Sequence, residues 1–320
     1  VAGPLMGLFE VFLGTLEVTL PVFAMVFVGL VLKRLGWIDA AFIATASSLV
    51  FKVTMPVLLF LSIVRADLAY ALQPGLIGYF LAVSVLGFFA AWGWARLRYP
   101  REEIGVFVQG TFRGNVGIVG LALAASMYGD HGLSLGGIMA GSVIVVYNVL
   151  SSIVLALYSP SADSDLRSLL LGLLRNPLIL SVMVALPVAF LALPLPAWLV
   201  TSGEYLGSLS LPLALICIGG TLGGTAIRHD GRQALYAGLW KLVWLPLAGT
   251  VGAFQLGYRD AELGILFLFL ASPTAAVAFV MAKAYGANER MTASIIMLTT
   301  FGSMLTISLG VFALKALGAI

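Results

Sequence analysis

The chain has 320 residues, 61% hydrophobic and only 10% charged, with a mean hydropathy of +1.08. That apolar share excludes an ordinary soluble domain, and a formal charge of +3 is too small to suggest nucleic acid as a partner. The single cysteine, Cys217, lies in an apolar run, cannot close an internal disulfide, and reads as packing.

A membrane-spanning helix needs ~20 mostly apolar residues. Ten segments of that kind account for nearly all of the chain. They fall at 9–32, 41–64, 74–95, 104–128 and 133–158, then at 168–193, 198–226, 234–258, 263–285 and 291–314. The predicted class is an all-α polytopic membrane protein embedded in a lipid bilayer. Lys33 and Arg34 follow the first apolar run, the reverse of the order in a cleaved signal peptide, so the first span is expected to be retained. Alternate joints hold Lys33 and Arg34, then Arg96, Arg98 and Arg101, then Arg167 and Arg175, then Arg228 and Arg232, then Arg290. The opposite joints and the termini hold only Arg65, Arg259 and Lys315. The positive-inside rule puts the rich side in the cytoplasm and both termini outside.

The fourth span contains FRGNVGIVG, Phe112 to Gly120, where an arginine and an asparagine stand among glycines. A charge at the bilayer centre costs several kcal/mol unless it faces a bundle interior or a wet cavity, so Arg113 is a site candidate. An internal repeat supplies the context. An offset of 156 carries Pro21 onto Pro177, Pro56 onto Pro212, and Asn115 onto Ala271 beside Ser272 and Pro273. One residue of drift brings Tyr128 and Gly129 onto Tyr285 and Gly286. Each half has five spans, an odd number, so the second half enters the membrane in the opposite sense. The reading is two inverted five-span repeats, 1–158 and 168–320, joined by 159–167, with broken crossover helices at spans four and nine. Gly114, Gly117 and Pro273 mark the breaks, because proline removes a backbone donor and glycine loosens the helix. Gly110, Gly114 and Gly117 would share one helical face. Freed amides, carbonyls and helix ends at such a break become ligands for ions and anionic groups.

The motifs FRGNVGIVGLALA, YNVL, RNPLIL, LPLALICIGGTL and ASPTAAVAFVMAKAYG, in this order and spacing, resemble the auxin efflux carrier family, within the wider bile/arsenite/riboflavin transporter superfamily. The likeness covers essentially the whole chain. It implies a scaffold of helices one, two, six and seven, often dimeric, and a transport unit of helices three to five and eight to ten that moves as an elevator. Plant members carry a long cytosolic loop between the halves. Here that joint is 159–167, which points to a compact prokaryotic member in the cytoplasmic (inner) membrane.

Features in one half only are the better candidates for chemistry. Arg113 maps onto Phe269 and Lys52 onto Ser208, so neither charge belongs to the shared architecture. Arg113 is read either as a substrate contact or as a cap on the broken backbone. Asn115 can both donate and accept, and it matches the asparagine the family carries at its crossing. Ser272 and Thr274 flank the matching proline, with bonding to their own helix as the alternative. Asn148 either faces the same cavity or joins helices. Glu17, the one acidic residue away from span ends, and Lys52 are candidates for coupling or a secondary role, each against a plain interfacial or snorkelling reading. His131 and His229 sit in joints. No cofactor is implied. H+ or Na+ remains open as the coupling ion, because backbone carbonyls that hold a metal leave no trace in sequence. There is no H-E-x-x-H and no Ser, His and acid set at membrane depth, which argues against an enzyme. The expected function is secondary transport of small organic anions, mono- or dicarboxylates. The alternatives are a sodium-coupled bile-acid-type symporter and a non-transporting ligand sensor on the same fold. Substrate identity, direction of flux and oligomeric state are not legible.

Overall fold

The computed structural model describes residues 3–65, 73–158, 177–221 and 231–320. The described chain is helical throughout, and six helices are long and apolar enough to cross a membrane. The order is α1 (Gly3–Arg34), α2 (Ala40–Arg65), α3 (Pro74–Arg98), α4 (Arg101–Phe112), α5 (Val116–Tyr158), α6 (Pro177–Phe190), α7 (Ala197–Thr221), α8 (Gly231–Gln255), α9 (Asp260–Ala271), α10 (Val277–Ala284) and α11 (Glu289–Ala316). The joint 159–167 lies outside the described residues.

Helix ends follow local chemistry. Asp39 caps α2 by accepting from the Phe42 amide at 2.7 Å, and Asn288 caps α11 by accepting from the Met291 amide at 3.0 Å. Pro74 opens α3, where its missing donor costs nothing. Inside the helices, proline acts differently. Its ring presses on the carbonyl four residues back, and the helix must widen or break there. Pro56 follows a π-helical turn at Val50–Thr54, and Pro246 follows another at Trp240–Trp244. Pro212, the repeat partner of Pro56, follows the interruption at Leu209 between Ser208 and Ser210.

The expected spans 104–128 and 133–158 meet in a tight reversal at Gly129 (φ 57°, ψ −137°). Gly286, the repeat partner of Gly129, also has a positive φ of 64°. Only glycine adopts that region without strain. Close approach is likewise managed by glycine where α1 crosses α7. A Cβ on Gly29 would overlap the Ile216 carbonyl, and one on Gly219 would overlap the Val26 carbonyl. Positions 29 and 219 map by the offset onto Ala185 and Ile63, which pack together between α6 and α2.

The centre of the molecule is built from α4 and α9. Every residue from Ile104 to Phe112 and from Leu263 to Ala271 is buried, so both helices are enclosed on all sides. Phe80, Phe88, Phe107, Phe112 and Phe269 fill the space around them, with Phe88 and Phe112 in edge contact at 5.1 Å.

Candidate functional site

Both α4 and α9 stop in mid-bundle, and their ends are stitched together. After Phe112 the helix is interrupted at Arg113, Gly114 and Asn115, and after Ala271 at Ser272, Pro273 and Thr274. Gly114 and Thr274 form an isolated antiparallel bridge. The Asn115 amide donates to the Pro273 carbonyl at 2.7 Å, and the Ala275 amide donates to the Arg113 carbonyl at 3.1 Å. Two breaks that would each orphan buried backbone groups thus satisfy one another. Side chains complete the stitching. Thr274 donates to the Gly110 carbonyl at 2.6 Å and Ser272 to the Phe269 carbonyl at 2.7 Å, while the Thr274 amide donates to the Thr299 hydroxyl at 3.1 Å.

Arg113 is 4% exposed. Its Nη1 donates to the Tyr147 carbonyl and to the Ser151 hydroxyl, both at 3.1 Å, with the Met281 sulfur at 3.3 Å. Its Nη2 donates to Asn148 Oδ1 at 2.7 Å, and its Nε is buried without a partner. Tyr147, Asn148 and Ser151 lie on one face of the returning limb of α5, so the guanidinium joins that limb to the break. Arg65 pairs with Glu204, both half-exposed, and among the described residues no ion pair involves Arg113. The Arg113 charge therefore has neutral dipoles around it and no carboxylate.

Beside the break lies a cavity of about 310 Å³. From the break come Arg113, Gly114, Asn115, Gly117 and Ala275 to Val277, from α5 Ile144, Tyr147 and Asn148, from α2 Ser47, Val50, Phe51 and Met55, and from α7 Ala214, Cys217, Ile218 and Thr221. The lining is mostly apolar with a few convergent polar groups, the usual character of a small-molecule site. The volume holds about ten waters at ~30 Å³ each, enough for a small organic acid.

The structure brings Arg113, Asn115 and Asn148 together on this cavity. Ser272, Pro273 and Thr274 do not line it; the Ser272 hydroxyl bonds its own helix, and the Thr274 hydroxyl and the Pro273 carbonyl are spent on the stitching. Gly117 opens onto the cavity with its nearest neighbour, an Ile144 carbon, 4.0 Å from where a Cβ would stand. Gly110, Gly114 and Gly117 share no helical face, because the break intervenes. A Cβ on Gly110 would meet Ile295, and one on Gly114 would meet the Ser272 hydroxyl at 2.6 Å. Lys52 is exposed on its π-helical turn and does not line the cavity, so it is not a buried cation. Glu17 is exposed on α1.

Sequence reasoning missed Lys241, which is fully buried and donates to the Leu270 carbonyl at 2.5 Å. A lone lysine in the apolar run WKLVWLP was the available signal. Ser47 of α2 and Thr221 of α7, polar residues on the cavity, carry no signal, since hydroxyls in spans are common and bond their own helix.

Residues 15–311 match the family described as Membrane transport protein. The chain is 23% identical over 309 residues to the uncharacterized transporter MJ1031 of Methanocaldococcus jannaschii, covering 92% of this chain and 97% of that one. It is 26% identical over 303 residues to an uncharacterized transporter of Methanothermobacter thermautotrophicus, covering 93% and 98%. With the uncharacterized transporter YfdV of Escherichia coli K12 it shares 22% identity over 274 residues, covering 83% and 87%.

Proposed function

From the premise that the chain belongs to the Membrane transport protein family, the auxin efflux carrier family that its motifs resemble, we propose that it is a secondary transporter of small organic anions, mono- or dicarboxylates, with its site at the crossing of the two helix breaks. It is a multi-pass membrane transporter and not an enzyme. The observation that carries the anion reading is Arg113, a buried cation with no carboxylate partner among the described residues, standing on the wall of a small cavity. A buried unpaired charge costs several kcal/mol. A substrate carboxylate would supply the missing charge and accept from Arg113 and from the amides of Asn115 and Asn148.

The architecture we infer is ten spans in two inverted repeats with elevator-type motion. The stitched breaks, the paired positive-φ glycines and the matched contacts of α1 with α7 and α6 with α2 support it. The 310 Å³ cavity lies in the half of the bundle near Ser47 and Thr221, on the side of the Lys33 and Arg34 joint, so we read it as facing the cytoplasm. A second cavity, of about 640 Å³, lies in the opposite half among Leu58, Arg65, Asp130, His131 and Glu204. Met55, Leu59, Leu121 and Ala214 form an apolar layer that would seal one from the other. Alternating exposure of one site needs such a seal.

Purified chain in proteoliposomes, screened first by carboxylate-dependent thermal shift and then by uptake, tests the reading. Arg113→Ala should weaken carboxylate binding by about ten- to a hundredfold, the equivalent of ~1.5–3 kcal/mol for one charge-assisted hydrogen bond. Undiminished uptake by both Arg113→Ala and Asn115→Ala would move the site elsewhere.

A further inference from the structure

Lys241 lies in the π-helical turn Trp240–Trp244 ahead of Pro246. The repeat offset puts Val85 at the corresponding place in the first half, on a helix with no such turn. The extra residue in a π turn rotates the side chains that follow out of register with their neighbours, a device found most often at functional sites. Here it accompanies an ammonium that is wholly buried.

That ammonium is bonded to the end of α9. Its Nζ donates to the Leu270 carbonyl at 2.5 Å. A Cβ on Gly114 would lie 2.6 Å from the Ser272 hydroxyl, 3.1 Å from Lys241 Nζ and 3.3 Å from the Phe269 carbonyl, so all three groups converge on Gly114. The carbonyls of Phe269 and Leu270 belong to the last turn of α9, where the helix ends without supplying them amide partners. Such an end carries partial negative charge and favours a cation. Among the described residues Lys241 forms no ion pair, and neither it nor Phe269, Leu270 or Ser272 lines the substrate cavity.

Carbonyls at the unwound end of a half-helix are what transporters offer to a coupling Na+. We propose that the Lys241 ammonium is a resident cation in that position, tethered through the chain, so that flux needs no Na+. The inference rests on the crossover being the transport site. A tethered cation cannot dissociate, so this position gives anion binding no thermodynamic link to external Na+.

The test uses the full chain in detergent and in proteoliposomes, with sodium, choline and methylammonium chlorides at equal ionic strength. The parent should melt at the same temperature in sodium and choline and take up carboxylate equally in both. Lys241→Ala should melt lower in choline and recover saturably with methylammonium or Na+, which occupy the vacated oxygens. Lys241→Met, which fills the space without charge, should stay low in every salt. A Lys241→Ala protein indifferent to cations, or a parent whose flux is strictly Na+-dependent, would overturn the proposal, and the parent measurement stands even if no variant folds. Melting is read without transport. A parent that moves no carboxylate would therefore sink the transport reading while leaving the cation response to be judged.

Discussion

Arg113 spends most of its donors on the protein itself, and this decides how it acts. Bonds to the Tyr147 carbonyl, Ser151 and Asn148 hold the guanidinium plane against α5, so the charge is pre-placed at the cavity wall at little entropic cost when substrate arrives. Of the two alternatives in the sequence, the bonds to α5 show Arg113 holding the break, and the proposed substrate contact would use the same side chain. A lysine would keep the charge but could not reach these acceptors together, because its compact head lacks the fork. Arg113→Lys should therefore lower the initial uptake rate by roughly tenfold, about 1.4 kcal/mol, while Arg113→Ala raises the carboxylate concentration needed for the thermal shift by about ten- to a hundredfold. Lys52→Gln is the contrasting control. Its side chain is exposed and away from the site, so uptake should stay within about twofold of the parent, as for surface substitutions within ~0.5 kcal/mol. Arg113 was legible because a lone charge in an apolar run is costly. Lys52, a coupling or secondary candidate against a snorkelling reading, is separated from Arg113 by its exposure and its absence from the cavity lining.

At the scale of elements, both breaks were visible as glycine and proline clusters, but their mutual bonding was not. Thr274 shows the difference. In sequence it is a hydroxyl beside a proline that bonds locally or meets substrate; in the structure it reaches across to the Gly110 carbonyl in the other half. Thr274→Val keeps the shape and leaves that buried carbonyl without its donor, at a cost of ~1–3 kcal/mol. The expected result is a lower melting temperature with carboxylate affinity, measured by thermal shift, nearly unchanged; a large loss of affinity would return Thr274 to the substrate site. Glycine positions give a second test. Gly219→Leu would drive a side chain into the Val26 backbone and should destabilise by ~1–3 kcal/mol. Gly78→Ala, on an exposed face of α3 with nothing within 4 Å of the new carbon, should be neutral or raise stability by about 0.5–1 kcal/mol. Thermal unfolding in detergent distinguishes the two.

At the scale of the whole molecule, the charge asymmetry of the joints predicts a sidedness that chemical labelling can read. The one cysteine, Cys217, is buried, so Cys217→Ser supplies a background without reactive thiols. In that background Leu193→Cys, at an exposed turn after α6, should react with a membrane-impermeant maleimide on intact cells. Leu35→Cys, exposed after the basic end of α1, should react only after permeabilisation. The reverse pattern would invert the topology and turn the 310 Å³ cavity to the outside.

What the sequence by itself determined is a helical membrane protein of a transporter family, with Gly114, Gly117 and Pro273 marking two breaks. These are one-dimensional signals: spans follow from hydropathy over a fixed thickness, and breaks follow from residues with no amide or no Cβ. What only the tertiary structure decided is which polar residues meet. The pairing of Asn115 with Pro273, the choice of Arg113 and not Lys52 as the cation on the cavity, and the burial of Lys241 against the end of α9 depend on helix rotation and packing between residues more than a hundred positions apart in some cases and on one π turn in another. A shift of one residue turns a helical side chain by about 100°, since 3.6 residues make a turn. Composition cannot resolve that angle; the packed neighbours do.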